Sequence, residues 1–135
     1  MAYTTSITIR GYHCDAYGHV NNARYFEIFE EARWQALETA GLIPKFEELG
    51  LQFFVVNINS NFKKAILPND IATVQTSLGA TTRRTISFIQ EITVNGLLCT
   101  KAEVIFVLFD AEAKRATPIT KEIVALFTSF IHGKS

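Results

Sequence analysis

From Tyr3 to Arg10, the residues Tyr3, Thr5, Ile7 and Ile9 alternate with Thr4, Ser6, Thr8 and Arg10. That alternation predicts a strand with one buried face, ending in the loop at Gly11. The period then lengthens. Tyr25, Phe26, Phe29, Ala32, Ala36, Leu37 and Ala40 fall on one side of a helix, with Arg24, Glu27, Glu31, Gln35 and Glu38 opposite. Asn21 or Asn22 is placed to begin this helix and Gly41 to end it. Alternation returns afterwards, with Phe54, Val56, Ile58 and Phe62 set against Asn57, Asn59, Asn61 and Lys63 before the LPND turn. Strand-forming segments follow at 71–78, 84–94 and 97–109, the last two joined by Asn95-Gly96, a strong signal for a tight hairpin. Thr117-Pro118 or Thr120 opens a short final helix, whose Ile123, Leu126, Phe127 and Phe130 make a docking face.

The order is strand, long helix, four strands, short helix. It predicts an α+β fold in which hairpin-linked strands form a largely antiparallel sheet and the long helix covers one face of it. With 135 residues, 48% of them hydrophobic, the chain can bury a real core, and it reads as one domain over 1–135 with no repeat or linker. Most of the eleven phenylalanines belong to that core.

Charge changes the picture only locally. Thirteen Lys and Arg balance thirteen Asp and Glu, so no overall field recruits nucleic acid or an anionic membrane. An anionic ligand would have to be met by a cluster, and the candidates are Lys63-Lys64 and Arg83-Arg84. The N-terminus lacks the basic start and apolar run of a signal peptide, and no apolar stretch approaches the roughly 18 residues of a membrane span, so a cytoplasmic location is expected. Cys14 and Cys99 give neither a disulfide framework nor a CxxC metal pair. As a nucleophile, Cys14 would need an activating base that the sequence does not show.

The chemistry is concentrated in GYHCDAYGHVNNARYFEIFEEAR, from Gly11 to Arg33. Asp and Asn favour turns and helix caps, so a well-capped helix explains part of the crowding. The first helical turn also offers N–H groups with no intrahelical acceptor, and its partial positive charge suits a developing oxyanion. His13, Asp15 and His19 lack a fourth ligand at a recognisable spacing, so no metal is expected. Arg33 interrupts the apolar stripe and needs a partner, for which Glu30, one turn earlier, is the candidate.

DAYGHVNNARYFEIFEEAR resembles the D-x-x-G-H-V-N-N-x-x-Y…E-E-A-R signature of hot-dog-fold thioesterases of the 4-hydroxybenzoyl-CoA thioesterase group. The similarity continues through VVNINSNFKKAILPND and the Asn95-Gly96 hairpin to Phe109-Asp110, and it leans toward the bacterial long-chain acyl-CoA thioesterase III type. The resemblance implies a hot-dog: a curved, five-stranded antiparallel sheet around the long helix. It also implies self-association to a homodimer or homotetramer, with the acyl site at the interface, acyl-CoA as substrate and no cofactor. Asp15 then matches the carboxylate that attacks the thioester or activates water, and Asn22 the residue whose backbone N–H polarises the carbonyl. Gly18 would let backbone or substrate pass closely and Val20 would line the acyl side, while Tyr25, on the apolar side of the helix with a polar tip, would line the acyl site or simply fill the core. His19 could orient the carboxylate or a water, and Lys63, Lys64, Arg83 and Arg84 could meet coenzyme A phosphates. Glu27, Glu30 and Glu31 are held in reserve, because some members carry the acid within the helix. The alternatives are a hot-dog hydratase-dehydratase, whose hydration motif is not present around Asp15 and His19, and a non-enzymatic module that binds acyl thioesters.

Overall fold

In the computed structural model, residues 3–133 are described, with side chains through Thr128. β1 (Tyr3–Thr8) leads through a single 3-10 turn to α1 (Asn22–Thr39) and α2 (Leu42–Leu49). There follow β2 (Leu51–Phe62), β3 (Ile71–Thr81), β4 (Ile86–Val94), β5 (Leu97–Asp110), β6 (Arg115–Thr117) and α3 (Lys121–Gly133). The sheet runs β1-β3-β4-β5-β2, antiparallel throughout, with β6 paired to the end of β5. This is the α+β, hot-dog arrangement, with β6 added to the five strands that the alternation predicts.

Several local expectations hold for the stated reasons. Asn95 and Gly96 both take positive φ, 52° and 80°, as a tight two-residue hairpin turn demands, and Val94 pairs with Leu97 across it. The Asn21 side chain caps α1 by accepting from the Ala23 N–H at 2.9 Å. Thr120 Oγ1 accepts from Ile123 N–H at the start of α3, whose Ile123 and Phe127 are buried. Phe130 lies outside the described side chains.

Other expectations are corrected. The segment after Gly41 is α2, a helix between two left-handed glycines, Gly41 and Gly50, that buries Leu42 and Phe46. Their i, i+4 spacing was the legible sign of it. In β2 the register slips between Val55 and Asn57, and such a bulge inserts one residue and exchanges the faces. Phe53 and Val55 therefore pair with Leu108 and Phe106 of the buried face, Ile58 with Val104, while Phe54 pairs with Val107 on the other side. Phe54 and Ile58 do not share a face as unbroken alternation required.

The core has two parts. Leu37, Phe46, Phe88, Phe106, Leu108, Ile123 and Phe127 join α1, α2 and α3 to β4 and β5. Ile9, Val20, Tyr25, Ile28, Phe29, Ile66, Val74 and Ile92 surround the first half of α1. Ile28 belongs to this face and Phe26 does not: Phe26 is 42% exposed.

Arg33 does not pair with Glu30. The ion pairs among the described residues are Arg24–Glu27, Lys45–Glu48 and Lys101–Glu91. Arg33 Nη1 instead donates to Gln90 Oε1 at 3.0 Å. Gln90 is fully buried, and its Nε2 donates to the Phe29 carbonyl and to Thr76 Oγ1, both at 3.0 Å. A neutral amide on β4 thus joins α1 to β3 and satisfies the guanidinium at lower desolvation cost than a second buried charge.

Candidate active site

The approach to α1 is a small hairpin built by its own sequence. Asp15 N–H donates to the His19 carbonyl at 2.9 Å and Gly18 N–H to the Asp15 carbonyl at 3.1 Å, while Cys14 and Val20 form an antiparallel bridge. The three-residue loop Ala16-Tyr17-Gly18 ends in a left-handed residue, Gly18, with φ of 78°. A Cβ on Gly18 would meet nothing within 4 Å. No part of the chain passes close to Gly18, and its left-handed φ is what the loop itself asks of a glycine. Gly18→Ala should destabilise the protein by about 1–2 kcal/mol, the cost of a left-handed L-residue, and Gly18→Asn by less. Urea melts of the two variants would show it, and an alanine variant as stable as wild type would mean that the loop relaxes freely.

This hairpin fixes Asp15. Its Oδ1 accepts from Tyr17 N–H at 2.9 Å and, more weakly, from His19 N–H at 3.4 Å. No donor among the described residues reaches Oδ2. His19 thus touches Asp15 through its backbone, and its imidazole makes no bond to the carboxylate.

At the head of α1, Val20 N–H donates to Ile66 O, Asn21 N–H to His13 O, Ala23 N–H to the Asn21 side chain and Arg24 N–H to Asn21 O. The Asn22 N–H is the one of this run with no acceptor among the described residues. Asn21, not Asn22, is the cap, so the Asn22 N–H stays open on the positive end of a long helix.

Asp15, His19, Val20, Asn22 and Tyr25 line one groove with Phe62, Lys63, Lys64 and Ala65 from the end of β2. Its volume is about 270 Å³. Tyr25 is 3% exposed, and burial raises its phenol above the usual range despite the Thr100 hydroxyl and Ile66 backbone beside it. It therefore stays a neutral donor, with its ring 4.9 Å from that of Phe62. Both Lys63 and Lys64 donate their backbone N–H to the Cys99 carbonyl, at 2.8 and 3.1 Å, which anchors the pair at the groove with exposed side chains. Phe62 and Ala65 were not singled out from sequence, although the position of Phe62 immediately before the basic pair was a usable sign.

Other candidates lie elsewhere. Arg83 and Arg84 sit in the β3–β4 turn, and Arg83 lines a separate groove with Thr120, Lys121 and Val124 of the α3 end. His13 accepts from Arg10 N–H through Nδ1 and, with Glu27 and Glu31, borders the β1 side of α1. Glu30 faces β2. None of the three glutamates lines the Asp15 groove. Among the described residues no group of three or more His, Cys, Asp or Glu could hold a metal, and no helix is long and apolar enough to cross a membrane.

Comparison with known proteins gives a consistent answer. The family model described as thioesterase-like superfamily matches residues 9–127. The long-chain acyl-CoA thioesterase FadM of Escherichia coli (strain K12) is 36% identical over 121 residues, which are 88% of this chain and 92% of that protein. The acyl-CoA thioesterase YbgC of Haemophilus influenzae is 31% identical over 126 residues, 90% of this chain and 93% of the relative. The crystal structure of YbaW, a probable thioesterase from Escherichia coli, superposes with a TM-score of 0.89 at 32% identity, covering 95% of this chain and 98% of that one.

Proposed function

The chain belongs to the thioesterase-like superfamily, and from that premise we propose that it hydrolyses long-chain fatty acyl-CoA to the free acid and coenzyme A. The observation that carries the proposal is the meeting, in one groove, of the Asp15 carboxylate and a helix-terminal N–H: neither Oδ2 nor that N–H has a hydrogen-bond partner among the described residues. The thioester oxygen sits against the Asn22 N–H, where negative charge gathers as the carbonyl is attacked. Asp15 either removes a proton from the attacking water or attacks the carbonyl itself to form an anhydride that water then opens. On either route the C–S bond breaks and the departing thiolate takes a proton. Water is the only co-reactant. The long chain is supported by the FadM likeness, and the apolar Val20, Tyr25 and Phe62 beside the carboxylate suit an acyl group.

A groove of about 270 Å³ is small beside the roughly 300–1,000 Å³ of typical ligand sites. β2, which forms one wall, is an edge strand. Self-association to a homodimer or homotetramer through that edge would enlarge and close the site.

Thiol release measured over acyl-CoAs from short to long chain, with one aryl-CoA, tests the proposal. Release should rise with chain length. Tight binding of every acyl-CoA with no thiol released would instead identify a binding module. Changing both Lys63 and Lys64 to Gln should raise KM more than it lowers kcat, because contacts to distant phosphates bind ground and transition states alike. The difference should shrink with added salt. An unchanged KM would remove the pair from the coenzyme A site.

A further inference from the structure

The sheet beneath the head of α1 carries hydroxyls that the fold itself does not use. Thr100 is fully buried on the inner face of β5, yet its Oγ1 has no hydrogen-bond partner among the described residues. The same is true of Ser60 Oγ on β2. Phe62 pairs with Thr100 and Ser60 with Ala102, so Ser60 and Thr100 are diagonal neighbours on one face of the sheet. Tyr25 completes the group: its ring packs on Phe62 at 4.9 Å, and the Thr100 hydroxyl stands beside its own. Thr5 Oγ1, the other such atom, lies apart from them on β1, at the opposite edge of the sheet.

Packing alone gives no reason for this choice of residues. Valine and alanine would fill the same space without the cost of an unpaired buried hydroxyl. Thr76 shows the usual arrangement, since it is as deeply buried on β3 and receives a bond from Gln90. For Thr100 and Ser60 the partner has to come from outside the chain, and the nearest opening is the Asp15 groove, which Tyr25 and Phe62 line. Tyr25 stands three residues beyond Asn22 on α1, about 4.5 Å further along the helix. With the thioester oxygen at the Asn22 N–H, what meets the Tyr25 hydroxyl is the part of the acyl group just past the carbonyl. An unsubstituted chain offers these hydroxyls only methylenes. A hydroxyl on the chain both donates and accepts, which suits tyrosine, threonine and serine alike.

We propose that Tyr25, Thr100 and Ser60 form a polar subsite that selects acyl-CoA carrying a hydroxyl on the first carbons beyond the thioester, of which 3-hydroxyacyl-CoA is the form that fits. Phe62, cross-strand neighbour of Thr100 and 43% exposed, is the side chain that turns aside to admit it. The inference rests on the thioesterase reading and narrows its substrate class.

The test is thiol release by the full chain from three coenzyme A thioesters of one chain length: unsubstituted, 3-hydroxylated and hydroxylated at the far end. For wild type, kcat/KM should be at least about tenfold higher with the 3-hydroxyacyl thioester than with the unsubstituted one, the order of one or two hydrogen bonds. The far-end hydroxyl should bring no gain. Thr100→Val keeps the side chain's shape and removes its hydroxyl, so the ratio should fall to within about twofold of one. Ser60→Ala, on the other strand, should lower it in the same direction, and it decides alone if melts show that Thr100→Val does not fold. A wild-type ratio near one, as expected if water alone serves these hydroxyls, would overturn the proposal. So would a ratio unchanged in both folded variants, or an equal gain from the far-end hydroxyl. In each of those cases continued release from the unsubstituted thioester would leave the thioesterase reading standing, whereas release from none of the three would overturn both.

Discussion

Replacing Gln90 by alanine should cost the protein about 3–5 kcal/mol, the sum of a cavity and of stranded polar groups. Gln90 is fully buried and makes three hydrogen bonds, to Arg33, Thr76 and the Phe29 carbonyl. Its removal leaves the Thr76 hydroxyl buried without that bond and takes from Arg33 the acceptor that offsets its desolvation. Gln90→Met separates the two causes, because it keeps most of the volume and loses only the hydrogen bonds, for a cost of about 1–3 kcal/mol. Urea denaturation gives both values, provided the m-values match wild type. A loss below about 1 kcal/mol in the alanine variant would show that α1 and the sheet are held by apolar packing alone, since a typical single hydrogen bond is already worth that much.

Gln90 also shows where the sequence was legible and where it was not. Ile86, Phe88, Gln90 and Ile92 alternate onto the buried face of β4, so a polar residue at an inward position was visible as a question. Its answer was not, because Arg33 lies on another element and no local spacing connects the two. The α1 wheel failed for a related reason. It distinguishes apolar from polar residues, but not which apolar residue the fold covers: Ile28 is buried and Phe26 is exposed. The β2 bulge is a backbone event that leaves the residue types unchanged. Asn95-Gly96 and the alternation of β1 were readable because a turn type and a half-buried strand are each decided by neighbouring residues. That Asp15 and Asn22 share one groove was readable for the same reason: a single hairpin, with its loop glycine and cap asparagine close by in the chain, brings them together.

That closeness makes Asp15→Asn the sharpest test of the site, with an expected loss of at least roughly 10²–10⁴ in kcat, the usual contribution of a positioned acid or base. The substitution spares the architecture. An asparagine oxygen can still accept from the Tyr17 and His19 N–H groups, as Asp15 Oδ1 does now, so the hairpin and the head of α1 keep their places. What changes is the other position. Oδ2, which no donor within the described chain occupies, becomes an amide nitrogen that can neither take a proton from water at neutral pH nor attack a carbonyl. Binding should survive, because the Asn22 N–H, the apolar wall of Val20, Tyr25 and Phe62, and the Lys63–Lys64 pair are untouched. The variant should therefore melt within about 1 kcal/mol of wild type, as typical substitutions do, and should titrate with acyl-CoA as wild type does while releasing almost no thiol. Purified Asp15→Asn assayed at saturating acyl-CoA, with its melt and binding titration alongside, measures all three quantities on one sample. A folded variant keeping more than about a tenth of wild-type kcat, which is less than the smallest loss expected, would sink the role assigned to Asp15.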